Sequence, residues 1–233
     1  MKMSQEFWAN DEELFDLARR ELFVAVVGDV MDQLGLQRQF LPPAVQPLTR
    51  DMVAIGRAMT VLSADCPQGG AGGVNEILAK PFGLMMEALD SLAPNEIYVC
   101  TGGSPEYALW GELMSARAIR CGAAGAILNG YTRDLRGILE QRFPVFCFGS
   151  YAQDQAPRGK VIGYRMPITL GQTHINPGDI LFGDCDGVCV VPRESERAVF
   201  VAAIEKARGE KTVRREIEAG MPAKEAFAKY GIL

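Results

Sequence analysis

Apolar residues at Leu14, Leu17, Ala18 and Leu22 share one helical face and predict a helix over residues 11–22. A short apolar run follows, and "GDVMDQLG" reads as a second helix ending at Gly35. Three prolines between positions 42 and 47 make "QFLPPAVQPL" a loop. "MVAIGRAMTVLSA" has the pattern of a strand, "PQGGAGG" of a flexible glycine loop, and "VNEILAKPFGLMMEAL" of a helix interrupted at Pro81 and Gly83. "NEIYVCTGG" is a strand that ends in glycines. The pattern then predicts a helix from about Tyr107 to Cys121, with Leu109, Leu113 and Ala116 on one face. A strand at Gly125–Leu128, a loop bearing Arg133 and Asp134, and a buried strand in "PVFCFG" come next. From Lys160 the rhythm changes to short strands, with turn signals at Gly171-Gln172, Pro177-Gly178 and Asp186-Gly187. After Arg193 a charged helical tail carries Val199, Ala203, Ala207, Val213 and Ile217 as an apolar stripe, broken at Gly220-Met221-Pro222.

Strand–helix crossovers favour a parallel sheet, and the later hairpins a second, antiparallel layer. The expected fold class is therefore α/β. A chain of 233 residues suits one domain with an extension, placed here at 1–192 for the α/β domain and 193–233 for the helices. The net charge of -5 gives no reason to expect nucleic acid, whose phosphates require concentrated positive charge. The N-terminus lacks the apolar segment of a signal peptide, and the run Leu22–Val27 is too short to span a bilayer. The expectation is a soluble, cytoplasmic protein with no membrane partner. Cys66, Cys100, Cys121, Cys147, Cys185 and Cys189 form no C-x-x-C pair and lie mostly in apolar runs, as reduced, buried thiols would.

His174 is the single histidine, which removes His-rich zinc sites, and no G-x-S-x-G elbow accompanies it. The loop Gln68–Gly73 lacks both common phosphate-binding glycine patterns. "GDCDGVCVVP" reads as a hairpin turn, because Asp-Gly between apolar runs favours one. The segment from Gly111 to Leu135 carries more chemistry. Gly111, Glu112, Leu113 and Met114 fall near a helix start, where first-turn amides have no intrahelical acceptor and favour anions. Arg133 has the planar fork that grips a carboxylate by two parallel hydrogen bonds. Asp134 beside it is a hard oxygen ligand suited to Mg2+ or Mn2+, with Glu112 placed to hold a metal-bound water. From spacing alone, an ordinary helix-start acid with a loop ion pair explains the same residues.

Taken together, "VVGDVMDQLG", "GRAMTV", "GELMSARAIRCGAAGAILNGYTRDL" and "NPGDILFGDCDGVCVVP" resemble, in order and spacing, the RraA-like family. That family includes the class II 4-hydroxy-4-methyl-2-oxoglutarate/4-carboxy-4-hydroxy-2-oxoadipate aldolases. The resemblance covers nearly the whole chain. It implies an α-β-β-α sandwich of the swivelling type with mixed sheets, and a C-terminal helical extension that packs on a neighbouring subunit. Homotrimers or homohexamers would form, with active sites between subunits. By motif, Arg133 would bind the carboxylate of a 2-oxo acid, Asp134 would ligate a divalent metal, and the Leu113 and Met114 amides with Gly111 would hold the keto-acid end. Glu112 stands where the family aldolases carry an aspartate, and Glu210 matches a glutamate supplied by the adjacent subunit. A substrate-binding asparagine of those aldolases is missing near Phe82.

The resemblance implies a metal-dependent lyase that cleaves a 4-hydroxy-2-oxo acid to pyruvate and a carbonyl product, with oxaloacetate decarboxylation as a side activity. A metal on the keto oxygen stabilises the negative charge left by cleavage, so no lysine Schiff base is needed. With no histidine suitably placed, a water or hydroxide near Arg133, Glu112 and Glu210 is the expected base. The alternative is a non-catalytic member that regulates ribonuclease E by protein contact; those proteins carry Arg-Gln where this chain has Arg133-Asp134. "TGGSPEYALWG" gives no support to a methyltransferase.

Overall fold

A computed structural model of the chain describes residues 7–66 and 75–231; the glycine loop Gln68–Gly73 lies outside them. The chain divides into two compact units, one built from residues before 38 and after 193, the other from 38–193.

The first unit opens with helices α1 (Asp11–Glu21) and α2 (Val24–Gln33). Asn10 caps α1 by accepting the Glu13 amide at 3.0 Å, while the Glu13 carboxylate accepts the Ala9 amide at 2.8 Å. The second helix starts earlier than the sequence pattern suggests. Val24, Val26 and Val27 are buried on it, so tertiary burial outweighs the weak helix propensity of valine.

The second unit contains, in chain order, β1 (Gln46–Pro47), β2 (Ala54–Asp65), α3 (Glu76–Ala79), α4 (Met85–Asp90), β3 (Glu96–Thr101), β4 (Ala108–Trp110) and α5 (Glu112–Arg120). It continues with β5 (Gly125–Leu128), β6 (Tyr131–Thr132), α6 (Leu135–Gln141), β7 (Val145–Cys147), β8 (Gly159–Tyr164), β9 (Ile168–Leu170), β10 (Thr173–Ile175), β11 (Ile180–Asp184) and β12 (Gly187–Val191). The first unit is completed by α7 (Glu196–Glu218) and α8 (Ala223–Tyr230). The C-terminal helices thus share a unit with α1 and α2. Val199, Ala203, Ala207 and Val213 are buried along α7, and Ile217 stays 38% exposed.

The main sheet runs β1-β7-β5-β3-β2-β11-β12, with β8 paired to the second half of β2. Strands β2, β3, β5 and β7 are parallel; β1, β8, β11 and β12 add to the sheet antiparallel. The β11–β12 hairpin therefore extends the same sheet, and β9–β10 pair separately from it. This mixed-sheet α/β architecture with C-terminal helices is the fold class expected from the sequence. Side chains alternate between its faces as strand geometry requires. Met59, Val61, Tyr98, Cys100, Ala126 and Leu128 pack under Ala88, Leu89, Ala118 and Ile138 of α4, α5 and α6. Ala58, Ile97, Val99, Ile127 and Phe146 face Leu181, Val188 and Val190 of the hairpin. The sheet coils so far that a Cβ on Gly183 would lie 2.9 Å from the Phe146 ring, so only glycine fits there.

One predicted element divides. Residues 108–110 are a strand, and the helix expected from Tyr107 begins at Glu112. Leu109 is buried at 2% exposure, whereas Leu113 is 82% exposed, so the two do not share a helical face.

All six cysteines are free. Cys100, Cys147 and Cys189 are buried as expected, Cys66 and Cys121 are half-buried, and Cys185 is exposed on the hairpin turn. Burial pushes the Cys100 thiol up to about 12 and Cys147 up to about 11, and it raises Cys189 further. At about pH 8, the exposed Cys185 will react with a chromogenic disulfide reagent in the native protein. The thiols of Cys100, Cys147 and Cys189, still protonated and covered, will react only after denaturant is added, in a stopped-flow titration that counts them.

Candidate active site

Two strand–helix junctions meet in the second unit. Strands β4 and β6 pair in parallel off the main sheet, Ala108 opposite Tyr131 and Trp110 opposite Thr132. The Arg133 amide donates to the Trp110 carbonyl at 2.9 Å, and the buried Thr132 hydroxyl donates to the same oxygen at 3.1 Å. Gly111 then caps α5 in an extended conformation, and Asp134 caps α6 with φ 57°, in the left-handed region that Asp tolerates better than most residues.

Gly111 offers no side chain to the first turn of α5. Asp134 supplies the acceptor instead: the Glu112 amide donates to its Oδ2 at 3.3 Å, across 22 residues of sequence. A Cβ on Gly111 would lie 2.6 Å from that oxygen, so glycine is what lets the carboxylate approach. The next amides, of Leu113 and Met114, belong to the same first turn and have no intrahelical acceptor. Two helix starts, each with partial positive charge, thus flank one carboxylate.

A Cβ on Gly137 would come within 2.2 Å of the Glu112 carboxyl carbon, so the longer acid rests on α6 in space that a glycine leaves open. Behind it, Gln141 Nε2 donates to the Glu112 carbonyl at 3.5 Å. Arg133 Nε is 3.8 Å from Asp134 Oδ2, and its Nη1 is 3.0 Å from Asp154 Oδ1. All three side chains of this ion-pair chain are between 38% and 45% exposed, so they face solvent and a ligand can reach them.

The structure therefore brings Gly111, Glu112, Leu113, Met114, Arg133 and Asp134 together. Glu210 belongs to α7 in the other unit, where Lys206 lies 3.8 Å from it and 2.6 Å from Asp29. Sequence reasoning missed Asp154. It sits in an irregular loop without motif or periodicity, and only the three-dimensional pairing with Arg133 singles it out. Asn75 stands at a helix start, but its Oδ1 accepts the Ile77 and Leu78 amides of α3. His174 is exposed on β10 with Thr169 Oγ1 3.5 Å from its Nδ1, as a surface histidine would be.

The donor set fits a hard divalent cation. Asp134 offers an exposed carboxylate, and Mg2+ characteristically binds one or two carboxylates while keeping several waters. Among the described residues, three clustered metal-type ligands occur at Asp184, Cys185 and Asp186, on the β11–β12 turn. There the Asp186 amide donates to Asp184 Oδ1 at 2.9 Å, which is turn geometry. No described helix is long and apolar enough to cross a membrane.

Ser115 ties this site to the core. Fully buried, it accepts from Trp110 Nε1 at 2.7 Å and donates to the Gly111 carbonyl at 3.4 Å. The Trp110 ring stacks on Phe143 with centroids 5.9 Å apart. Ser115→Ala will leave the indole N–H without its acceptor and cost about 1–3 kcal/mol in urea unfolding, while far-UV circular dichroism stays unchanged.

Comparison with known proteins shows the family. Protein DlpA of Legionella pneumophila is 26% identical over 207 residues, 88% of this chain but 32% of DlpA, so the chain spans about a third of that relative. A protein of Halalkalibacterium halodurans named "Putative 4-hydroxy-4-methyl-2-oxoglutarate aldolase" is 27% identical over 209 residues, covering 89% of this chain and 90% of its own. A solved structure described as "Crystal structure of novel cellulases from microbes associated with the gut ecosystem" is 31% identical, with a TM-score of 0.79 over 90% of both chains. The RraA-like family, described as Aldolase/RraA, matches residues 24–190, which include both junctions of the site and nearly all of the sheet, and the chain belongs to that family.

Proposed function

We propose that the protein is a lyase that cleaves a 4-hydroxy-2-oxo acid to pyruvate and a carbonyl product, with a divalent metal, Mg2+ or Mn2+, at Asp134. The observation that carries this reading is the meeting of the Arg133 guanidinium and the Asp134 carboxylate at the start of α5. Relatives named as aldolases support the reaction class.

Arg133 binds the carboxylate of the keto acid, and the Leu113 and Met114 amides share in holding that end. Asp134 would hold the metal, and Glu112, at the neighbouring helix start, would order water beside it. When bound, the cation supplies Lewis-acid stabilisation of negative charge at the 2-oxo oxygen. The 4-hydroxyl loses its proton to a water or hydroxide ordered by the acids, and C4 becomes a carbonyl. The C3–C4 bond breaks, its electron pair passes to the pyruvyl fragment, and a proton added at C3 gives pyruvate. Loss of CO2 from oxaloacetate breaks the equivalent bond and is an expected side reaction. Glu210 acts from a neighbouring subunit in a trimer or hexamer, with α7 and α8 packed on that neighbour. A role confined to protein-binding regulation leaves Asp134 only the structural task of joining the two helix starts.

Asp134→Ala will lower pyruvate release from 4-hydroxy-2-oxo acids by at least about a thousandfold, and EDTA will do the same to the wild type, in a lactate-dehydrogenase-coupled assay. Full activity in the variant sinks the proposal. Arg133→Lys keeps the charge but loses the fork, and it will raise KM about tenfold with a smaller effect on kcat.

A further inference from the structure

Of the two acids beside the Arg133 guanidinium, Asp154 is the closer. Its Oδ1 lies 3.0 Å from Nη1, whereas Asp134 Oδ2 lies 3.8 Å from Nε, beyond hydrogen-bond reach. The chain holds the Asp154 backbone from both sides. Upstream, the Tyr151 amide donates to the Thr132 carbonyl at 2.8 Å and the Ala108 amide to the Gln153 carbonyl at 2.9 Å, which ties this segment to the β4–β6 pair. Downstream, Gln155 is 4% exposed, and its carbonyl accepts the Arg158 and Gly159 amides at 2.7 and 2.9 Å. Arg158 Nη1 donates to the carbonyl of Asp154 itself at 3.0 Å. Arg133 is anchored as well, by its own amide on the Trp110 carbonyl. A fixed backbone thus stands behind each member of the pair, although both side chains face solvent.

Such a pair does little for the fold. Exposed ion pairs add almost nothing measurable to stability, because water screens them and two long side chains lose freedom. The consequence falls on Arg133 instead. A free arginine side chain samples many rotamers, and a ligand that freezes it loses affinity by the cost of that ordering. The guanidinium has five N–H donors, so a carboxylate at Nη1 settles its orientation and leaves other donors for a ligand carboxylate. Asp154 also competes with Asp134 for the fork. Closed onto Asp134, Arg133 would give its donors to the carboxylate proposed as the metal ligand, and neither group could then meet its own partner.

We infer that Asp154 is a positioning residue: it holds the Arg133 guanidinium preorganised for the carboxylate of the 2-oxo acid and keeps it from closing on Asp134. The contact matters here and the charge does not. A carboxylate this close to an incoming anion repels it, so orientation and charge act in opposite directions. The inference rests on the aldolase reading and adds to it a residue that acts through Arg133.

The opposed signs supply the test. Pyruvate binding is measured by titration calorimetry with Mg2+ present, alongside steady-state pyruvate release from 4-hydroxy-2-oxo acids. Pyruvate is the fragment common to all these substrates, so its Kd reads the inference whichever tail is preferred. Asp154→Ala removes the contact and will raise the pyruvate Kd and KM about three- to tenfold, with kcat changed less than about twofold. Asp154→Asn keeps an oxygen for Nη1 without the charge, and will hold both constants within about twofold of the wild type. In Arg133→Met there is no fork to orient, and adding Asp154→Ala will weaken binding and kcat/KM no further. Urea midpoints of both Asp154 variants will match the wild type. Binding in Asp154→Ala as tight as in the wild type, Asp154→Asn as weak as Asp154→Ala, an undiminished effect in the Arg133→Met protein, or a midpoint that falls in step with affinity overturns the inference alone. A wild type that neither binds pyruvate nor releases it from any 4-hydroxy-2-oxo acid overturns the aldolase reading, and the inference with it.

Discussion

The hydrogen bond from the Glu112 amide to the Asp134 carboxylate fixes the relation between two helix starts that the sequence keeps 22 residues apart. It forms because Gly111 removes the one atom that would block it. The pairing of β4 with β6 sets the distance beforehand, and Trp110 anchors that pair from below. The carbonyl of Trp110 accepts from Thr132 and Arg133, its indole donates to Ser115, and its ring lies against Tyr98 and Phe143 in the core. Functional side chains at the surface are thus positioned by groups that are themselves immobilised by burial, which is how a solvent-facing site acquires a defined geometry.

The sheet has a related role. β2 is long enough to pair β3 along one edge while β11 and β8 share the other. A strand with partners along both edges is a stable centre for a sheet that then coils until Phe146 meets Gly183. Coiling leaves one face free for α4, α5 and α6, so the helix starts emerge together on that side. The functional reading depends on this arrangement rather than on any single motif.

Much of this was legible in the chain. The strands Ala54–Asp65, Glu96–Thr101 and Gly125–Leu128 have burial that follows the apolar run, and the central pair of acidic junctions was visible as residues. The helix start at Glu112 was less accessible, because Leu109 and Leu113 are spaced like one helical face although one is in a strand and the other faces solvent. Local pattern cannot distinguish these cases when a short strand of an off-sheet pair precedes a helix directly. Strands β11 and β12 were readable as a hairpin, but which sheet they join depends on a register with β2 that lies more than a hundred residues away. Asp154 carried no local signal at all, since its significance is a partner rather than a pattern.

Glu112 and Gly137 show how far such a partnership reaches. The extra methylene of the glutamate occupies the volume that a side chain at 137 would fill. The two positions are therefore coupled: a larger residue at 137 would push the end of the exposed Glu112 side chain off α6 and toward solvent. An exchange of the acid at 112 is therefore best made together with position 137, because residues in contact do not act additively.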